Sequence, residues 1–502
     1  MRRSTRSAAP ALERTAPADV CIIGSGPAGA VLGRDLVARG IRTVMVESGT
    51  TLLRWLCDNR LRQLAAYEVS GDTAYPRQRT RARALGGTSH FWTGRSERFQ
   101  PSDFEESAYA PEGASWPLRY RDLEAYYERA EQTLRVRGSD LSHHYPPRRN
   151  NLPLPARNDI SILKEMMAEV GVTVDCSPTA TPRKGWRIFR FATEILPEFV
   201  ASANALLLAG WTVTRLVPDR NGRIIGARAR TTDGSERTII ARYYVVACGG
   251  IESPRLLLLS RSPEFPNGIG NSRDRVGRGF NEHAGVNLYG RVPHRRGTLR
   301  PHYRMGRTHQ FYDAFRSDGL GSVLPVFIQA SLFPNHLMSF RPGAVPRAML
   351  AMVSRFARPE LYIGATIEMR PDDANRVTLA DGRRDRFGDP LAHLHFSFTD
   401  EDRRTLNRTR ELIRGIYVKL DAQDIREGEL TWSRHHIGTC RMGDDPNTSV
   451  TNRDLRVHDS PNLYVCGSEV FVTGGAVPPV LTITALAHRL ADHLTEQVRP
   501  TQ

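Results

Sequence analysis

Three glycines spaced Gly24-x-Gly26-x-x-Gly29, answered by Glu47, are residues that could hold a dinucleotide. In such a motif Gly24 permits the tight turn, Gly26 lets backbone approach a pyrophosphate, and Gly29 lets a helix pack closely on its strand. The helix N-terminus presents free N–H groups and the positive end of its dipole to phosphates. Glu47 is placed to accept hydrogen bonds from ribose hydroxyls. Glycine triplets also mark ordinary turns, so the setting decides. An apolar strand, Val20 to Ile23, runs straight into the triplet. Apolar residues at helical spacing follow (Ala30, Val31, Leu32, Leu36, Val37), then Gly40 and a second strand, Thr43 to Glu47. Strand, turn, helix, strand and acid occur in order, which is the pattern of a nucleotide-cofactor protein.

With 502 residues the chain is long enough for two or three domains with ample core. Hydrophobic residues make up 40% and charged residues 25%, ordinary values for a folded water-facing protein. No apolar run reaches the ~18–20 residues of a membrane span. Residues 1–17 read as a basic, disordered tail, and nothing apolar follows the arginines before the cofactor strand. The expected location is therefore cytoplasmic. All but three of the 70 cationic residues are arginine, and they are interleaved with acids along the chain. The net charge of +16 therefore reads as compositional bias, with no nucleic-acid partner expected. Six scattered cysteines without a C-x-x-C pair argue against a disulfide framework and against a zinc site, and no metal is expected.

A second glycine turn spans Arg83 to Gly94, and Trp116 to Glu131 reads as an amphipathic helix. Residues 138–158 look like a surface excursion, followed by a helix at about 158–171. Strand-like alternation covers 205–248, ending in Gly249-Gly250 and an apolar helix from Ile251 to Leu259. Residues 283–430 look less regular, with aromatic and proline-rich loops from Phe311 to Pro346, one clear strand from Leu391 to Phe398 and a long helix from Asp400 to Leu420. A strand at Asn462 to Cys466 and a terminal helix from Pro479 to Gln497 close the chain.

These residues resemble the glucose–methanol–choline (GMC) flavoprotein oxidoreductases. Five blocks match in order: Gly24 to Gly29 with Glu47, Gly86 to Ser89, Ala247 to Leu257, Val276 to His283, and His435 to Gly443 leading to Asn462 to Val465. Trp116-Pro-Leu-Arg-Tyr and the Gly-Thr-Ser-x-x-Trp turn are more similar to the pyranose oxidase and gluconate dehydrogenase branch. The resemblance implies an α/β fold with FAD as cofactor. It implies a Rossmann-like FAD-binding domain assembled from 18–105, 200–282 and 435–502, and a sheet-based substrate domain from 106–199 and 283–434.

The resemblance puts the active-site base at His435, three residues before Gly438-Thr439. A neutral imidazole suits removal of a hydroxyl proton near neutral pH. It extends the cofactor-binding set to Gly86, Gly87, Thr88, Val213, Ala247, Gly467, Pro479 and Val480. His436 is expected to be structural. Relatives carry His or Asn just before the proline opening the final helix, and here that place is Pro478, with no side-chain donor or acceptor. The helix after Pro479 is expected to turn its N-terminus toward the flavin. Some pyranose oxidases bond FAD covalently through a histidine just before the tryptophan of the second glycine turn. Phe91 stands there and His90 one residue earlier, so non-covalent FAD is expected. Glu252 and Arg255 are expected in structural turns, and Glu282 and His283 as solvated or capping groups.

The implied reaction is oxidation of a hydroxyl to a carbonyl on a small polar alcohol, a sugar, polyol or glycoside, with oxygen or another electron acceptor. Two rivals remain at this stage: other flavin chemistry such as dehydrogenation at carbon or elimination, raised by Pro478, and a non-catalytic binding protein on a flavoprotein scaffold.

Overall fold

The computed structural model describes residues 17–499 except 72–74, 77–79, 107–108, 112, 139–140, 150–151, 154–159, 185–187, 294–303 and 331–359. The basic tail, much of the excursion at 138–158 and part of the loops from Phe311 to Pro346 lie outside the described residues.

A five-stranded sheet gathers pieces from the whole chain, in the order Leu463–Val465, Ala241–Val246, Ala18–Ile23, Thr43–Glu47, Ala205–Ala209. Every pairing is parallel, with Val20 opposite both Thr43 and Tyr243. Helices cover the sheet, so its central strands read as continuous apolar runs. Helix Pro27–Ala38 packs against the terminal helix Val480–Val498, and Asp35 Oδ2 lies 2.6 Å from His488 Nδ1. Helix Tyr120–Leu134 adds a second brace where Tyr127 Oη meets Thr482 Oγ1 at 2.9 Å. The start of the chain thus holds its end, fixing the N-terminus of the last helix beside the sheet.

A second, seven-stranded sheet runs Gln423–Glu427, Ala284–Arg291, Glu360–Ile367, Val323–Ala330, Arg304–Arg307, Asp175–Cys176, with Thr431–Trp432 also on Ala284–Arg291. Its pairings are antiparallel. Helix Asp400–Lys419 covers one face, with Tyr417 Oη donating to Leu361 O at 2.7 Å, while the other face looks onto the cavity described below. This sheet corrects the expectation of irregular structure over 283–430. Its strands Ala284–Arg291 and Glu360–Ile367 are buried on both faces, and Gly285, Gly290 and Gly364 sit where Thr431, Tyr417 and Tyr362 would crowd a Cβ. Neither alternation nor an unbroken apolar run therefore marks them.

Smaller corrections have local causes. The helix expected from Trp116 starts at Tyr120, because Asp122 Oδ2 accepts the Arg119 N–H at 2.8 Å and caps it there. Trp116 lies outside it and donates Nε1–H to Thr473 Oγ1 at 2.8 Å. The helix expected near 158–171 is Ser161–Ala168, and the Leu391–Phe398 strand is Pro390–His395. No helix among the described residues is long and apolar enough to cross a membrane.

Candidate active site

A cavity of about 590 Å³ lies between the two sheets, within the size range of small-molecule and cofactor pockets. One end is built where parallel strands stop. Gly24, Glu47, Ala247 and Gly467 each end or follow a strand of the first sheet and border the cavity, the usual ligand position in open α/β sheets. Gly26, Gly87, Thr88, Val213, Pro479, Val480 and His435 also line it. Gly29 and Gly86 stand one layer behind.

That end fits a dinucleotide. Gly24 has φ +105°, and a Cβ there would stand 2.4 Å from Ala247 O. A Cβ on Gly29 would stand 2.0 Å from Gly24 O, so the helix could not sit this close to the turn. A Cβ on Gly26 would meet nothing within 4 Å, which leaves backbone open to the cavity. No side chain caps helix Pro27–Ala38, so its first N–H groups remain free for an anion. Ser25 ties the turns together: its N–H and hydroxyl donate to Glu47 Oε2 at 3.0 and 2.8 Å, and its Oγ accepts Gly86 N–H at 3.1 Å. Glu47 Oε1 accepts Gly49 N–H at 3.0 Å, and burial raises the pKa of this carboxyl. Glu252 and Arg255 belong to helix Gly249–Leu259, not to turns, and also line the cavity. Glu252 pairs with Arg81 at 2.6 Å and Arg83 at 2.8 Å, and those guanidinium groups, chiefly Arg83, outweigh its burial and lower its pKa.

The other end holds a cluster of histidines. Asn281 and Ile437 exchange backbone hydrogen bonds of 3.1 Å in an antiparallel bridge, so His283 and His435 fall opposite one another. Their rings meet edge to face at 88°, and the two Nδ1 atoms lie 2.9 Å apart. His435 Nε2 has no protein partner among the described residues, and His435 borders the cavity. Glu282 fastens both backbones, its Oε1 accepting N–H from His283 at 2.8 Å and from His435 at 2.7 Å. Its Oε2 accepts the Tyr75 hydroxyl at 2.8 Å, and Tyr75 Oη lies 2.9 Å from His436 Nε2.

Burial decides the protonation of this cluster. It lifts Glu282 to about 7, against four hydrogen-bond donors that favour the carboxylate: the backbone N–H groups of His283, His435 and Arg434 and the Tyr75 hydroxyl. It holds His435 well below the ordinary 6.5, helped by His283, His436 and Arg307. His283 falls to about 4 and His436 to about 3 for the same first reason. All three imidazoles are neutral at neutral pH.

Glu282 and His283 correct the expectation of solvated or capping groups, since both are buried and bond the His435 segment. Residue type alone does not reveal the pairing, because 152 positions separate His283 from its partner. The usable signal was the block Val276 to His283 itself. His90 Nε2 lies 2.8 Å from Leu85 O within its own turn, while Phe91 borders the cavity. Pro478 lines the cavity too, and no side chain caps the following helix. On the second sheet Arg307 borders the cavity with Nε and Nη1 lacking hydrogen-bond partners among the described residues, although Glu97 lies 3.3 Å from Nη1.

Comparisons with known proteins agree with this architecture. Sequence models of the GMC oxidoreductases match residues 21–285 and 371–487. The fructose dehydrogenase large subunit of Gluconobacter japonicus is 24% identical over 97% of this chain and 99% of its own. The 6'''-hydroxyparomomycin C oxidase of Streptomyces lividus is 29% identical over 95% of this chain and 92% of its own. Among solved structures, pyridoxine 4-oxidase from Mesorbium loti superposes with a TM-score of 0.68 at 19% identity, covering 95% of this chain and 99% of that one. The chain therefore belongs to the GMC oxidoreductase family, and it is an FAD-dependent oxidoreductase acting on CH–OH groups.

Proposed function

We propose that the protein oxidises a hydroxyl to a carbonyl on a small, hydroxyl-rich alcohol, a sugar, polyol or glycoside, with His435 as the base. The observation that carries this reading is a neutral imidazole nitrogen, without a partner among the described residues, on the wall of a cavity whose far end is a glycine cradle. When bound, FAD would supply the two-electron acceptor for the hydride lost from the carbinol carbon. Gly24, Gly26 and the free helix N-terminus would hold the pyrophosphate, with Glu47 toward a ribose. His435 Nε2 takes the proton, so the O–H bond breaks as an N–H bond forms. The uncapped N-terminus after Pro479 places partial positive charge at the cavity, where charge stabilisation is most effective in a dry site. Arg307, buried with an Nε–H that lacks a hydrogen-bond partner among the described residues, supports a substrate bearing several acceptor oxygens. Relatives named for oxidation of a sugar and an aminoglycoside point the same way.

The test is an anaerobic screen of sugars, polyols and glycosides against the purified yellow protein. Bleaching of the flavin by members of this panel supports the reading. Flavin that no alcohol reduces would overturn it in favour of other flavin chemistry, and colourless protein would remove the cofactor. FAD is proposed to bind non-covalently, so the yellow colour should leave with the supernatant on acid precipitation.

A pH dependence follows. His435 faces His283, His436, Arg307 and, through its backbone, Glu282. Its pKa is depressed, so the neutral base persists as pH falls through 6.5. Flavin reduction at about pH 5.5 should run within roughly 3-fold of its rate at about pH 7.5, whereas an unperturbed histidine centred at 6.5 would lose about 10-fold of its base form over that range. Glu282, raised to about 7, also titrates in this range, so an acid limb at or above 6.5 that persists in Glu282→Gln would contradict the assignment.

A further inference from the structure

We infer that His283 is a positioning residue that fixes the tautomer of His435, keeping the proton on His435 Nδ1 and a lone pair on His435 Nε2 toward the cavity. The inference rests on the role given above to His435 and concerns a group that the motif positions alone did not single out.

Two neutral rings facing one another Nδ1 to Nδ1 at 2.9 Å share one proton, and either ring could carry it. The surroundings of His283 break the tie. Its Nε2 is buried and faces the backbone carbonyls of Gly474 and Gly475, which favour a proton on that nitrogen even though no bond of standard geometry forms. The contact is close, since a Cβ on Gly474 would stand 3.0 Å from this Nε2. With the proton on His283 Nε2, its Nδ1 can only accept. His435 Nδ1–H then donates, and His435 Nε2 is left basic. In the opposite arrangement a buried lone pair on His283 Nε2 would face carbonyl oxygens, and His435 Nε2–H could not accept a proton. The productive tautomer therefore dominates.

The arrangement is built by the backbone. The Asn281–Ile437 bridge sets the two histidines opposite each other, and Glu282 holds both main chains. When His435 gains the hydroxyl proton at Nε2, its Nδ1–H still points at His283 Nδ1, which helps to hold the new positive charge. His283 thus does for the base what a carboxylate does in a hydrolase triad, where a wrong tautomer lowers kcat by ~10⁴-fold. It does so without adding charge, and Pro478, with no side-chain hydrogen-bonding group, cannot.

Two variants and one spectrum test this. In His283→Asn the side-chain oxygen can occupy the place of Nδ1 and accept from His435. In His283→Leu nothing can. Both should bind flavin at the wild-type ratio. His283→Leu should lower the anaerobic reduction rate at least ~100-fold with apparent substrate affinity changed by less than about 3-fold, and His283→Asn should recover to within about 10-fold of wild type. Wild-type rates in His283→Leu, or an Asn variant as slow as Leu with flavin retained, would overturn the role. Independently of folding in the variants, ¹⁵N-histidine NMR of the wild-type protein at neutral pH should report His435 protonated at Nδ1, with the resonance assigned by its loss in His435→Ala. Protonation at Nε2 would overturn the inference. Should no alcohol bleach the flavin, the functional reading fails while this spectrum still decides the tautomer.

Discussion

His435→Ala should bind FAD at the wild-type ratio and lose ~10²–10⁴-fold in the rate of anaerobic flavin reduction by a good substrate. The range is that of a positioned general base. Flavin should survive because the dinucleotide cradle lies at the other end of the cavity, and because Glu282 holds the segment through the backbone N–H of residue 435, which alanine keeps. The remaining rate should rise toward high pH, where the alcohol proton is more readily lost to solvent base. Stopped-flow absorbance of the flavin measures both. Undiminished reduction by the variant would remove His435 from the chemistry.

Gly29→Ala should give colourless protein of reduced stability. The new methyl would stand 2.0 Å from Gly24 O and 3.2 Å from Ile22 Cγ2. The first neighbour is backbone and cannot step aside, because Gly24 N–H donates to Val46 O at 2.8 Å and Gly24 is held at φ +105°. The helix must back away from its strand, at about 1–3 kcal/mol for overpacking, and the protein also loses the stability that bound cofactor adds. Gly26→Ala is the contrast. Its methyl meets no protein atom within 4 Å, so the apoprotein should melt like the wild type while FAD affinity falls, because the methyl enters space left for a ligand. Thermal melting of the apoproteins together with flavin titration separates the two effects. Equal apoprotein stability for both variants would contradict the packing argument.

The nucleotide half of the site was legible in the chain because its signals are local. A strand, a glycine turn, a helix and a second strand follow within one stretch, and the structure keeps them as Ala18–Ile23, Pro27–Ala38 and Thr43–Glu47. The terminal helix was legible for the same reason, since Pro479 marks its start at Val480. The second sheet was not. Strands such as Glu360–Ile367 are buried on both faces and interrupted by glycine, so no period of two survives for the eye to find. Neither was the partner of His435. His283 reaches it across a bridge between two segments far apart in sequence, and nothing local at Glu282-His283 distinguishes a buried pair from a capping pair. The mistaken reading of Glu252 and Arg255 has a related cause. Both residues lie inside the helix that the apolar run Ile251 to Leu259 already signals, and its acid is held by Arg81 and Arg83 from the second glycine loop, partners that sequence spacing does not show.

An experimental structure of the flavin-loaded protein decides whether His435 is the base. The dinucleotide should lie over Gly26, the isoalloxazine in the cavity between the two sheets, and His435 Nε2 should turn toward the space above the ring with Nδ1 still on His283. An isoalloxazine outside this cavity, or a His435 ring rotated away from it, would rule His435 out as the base.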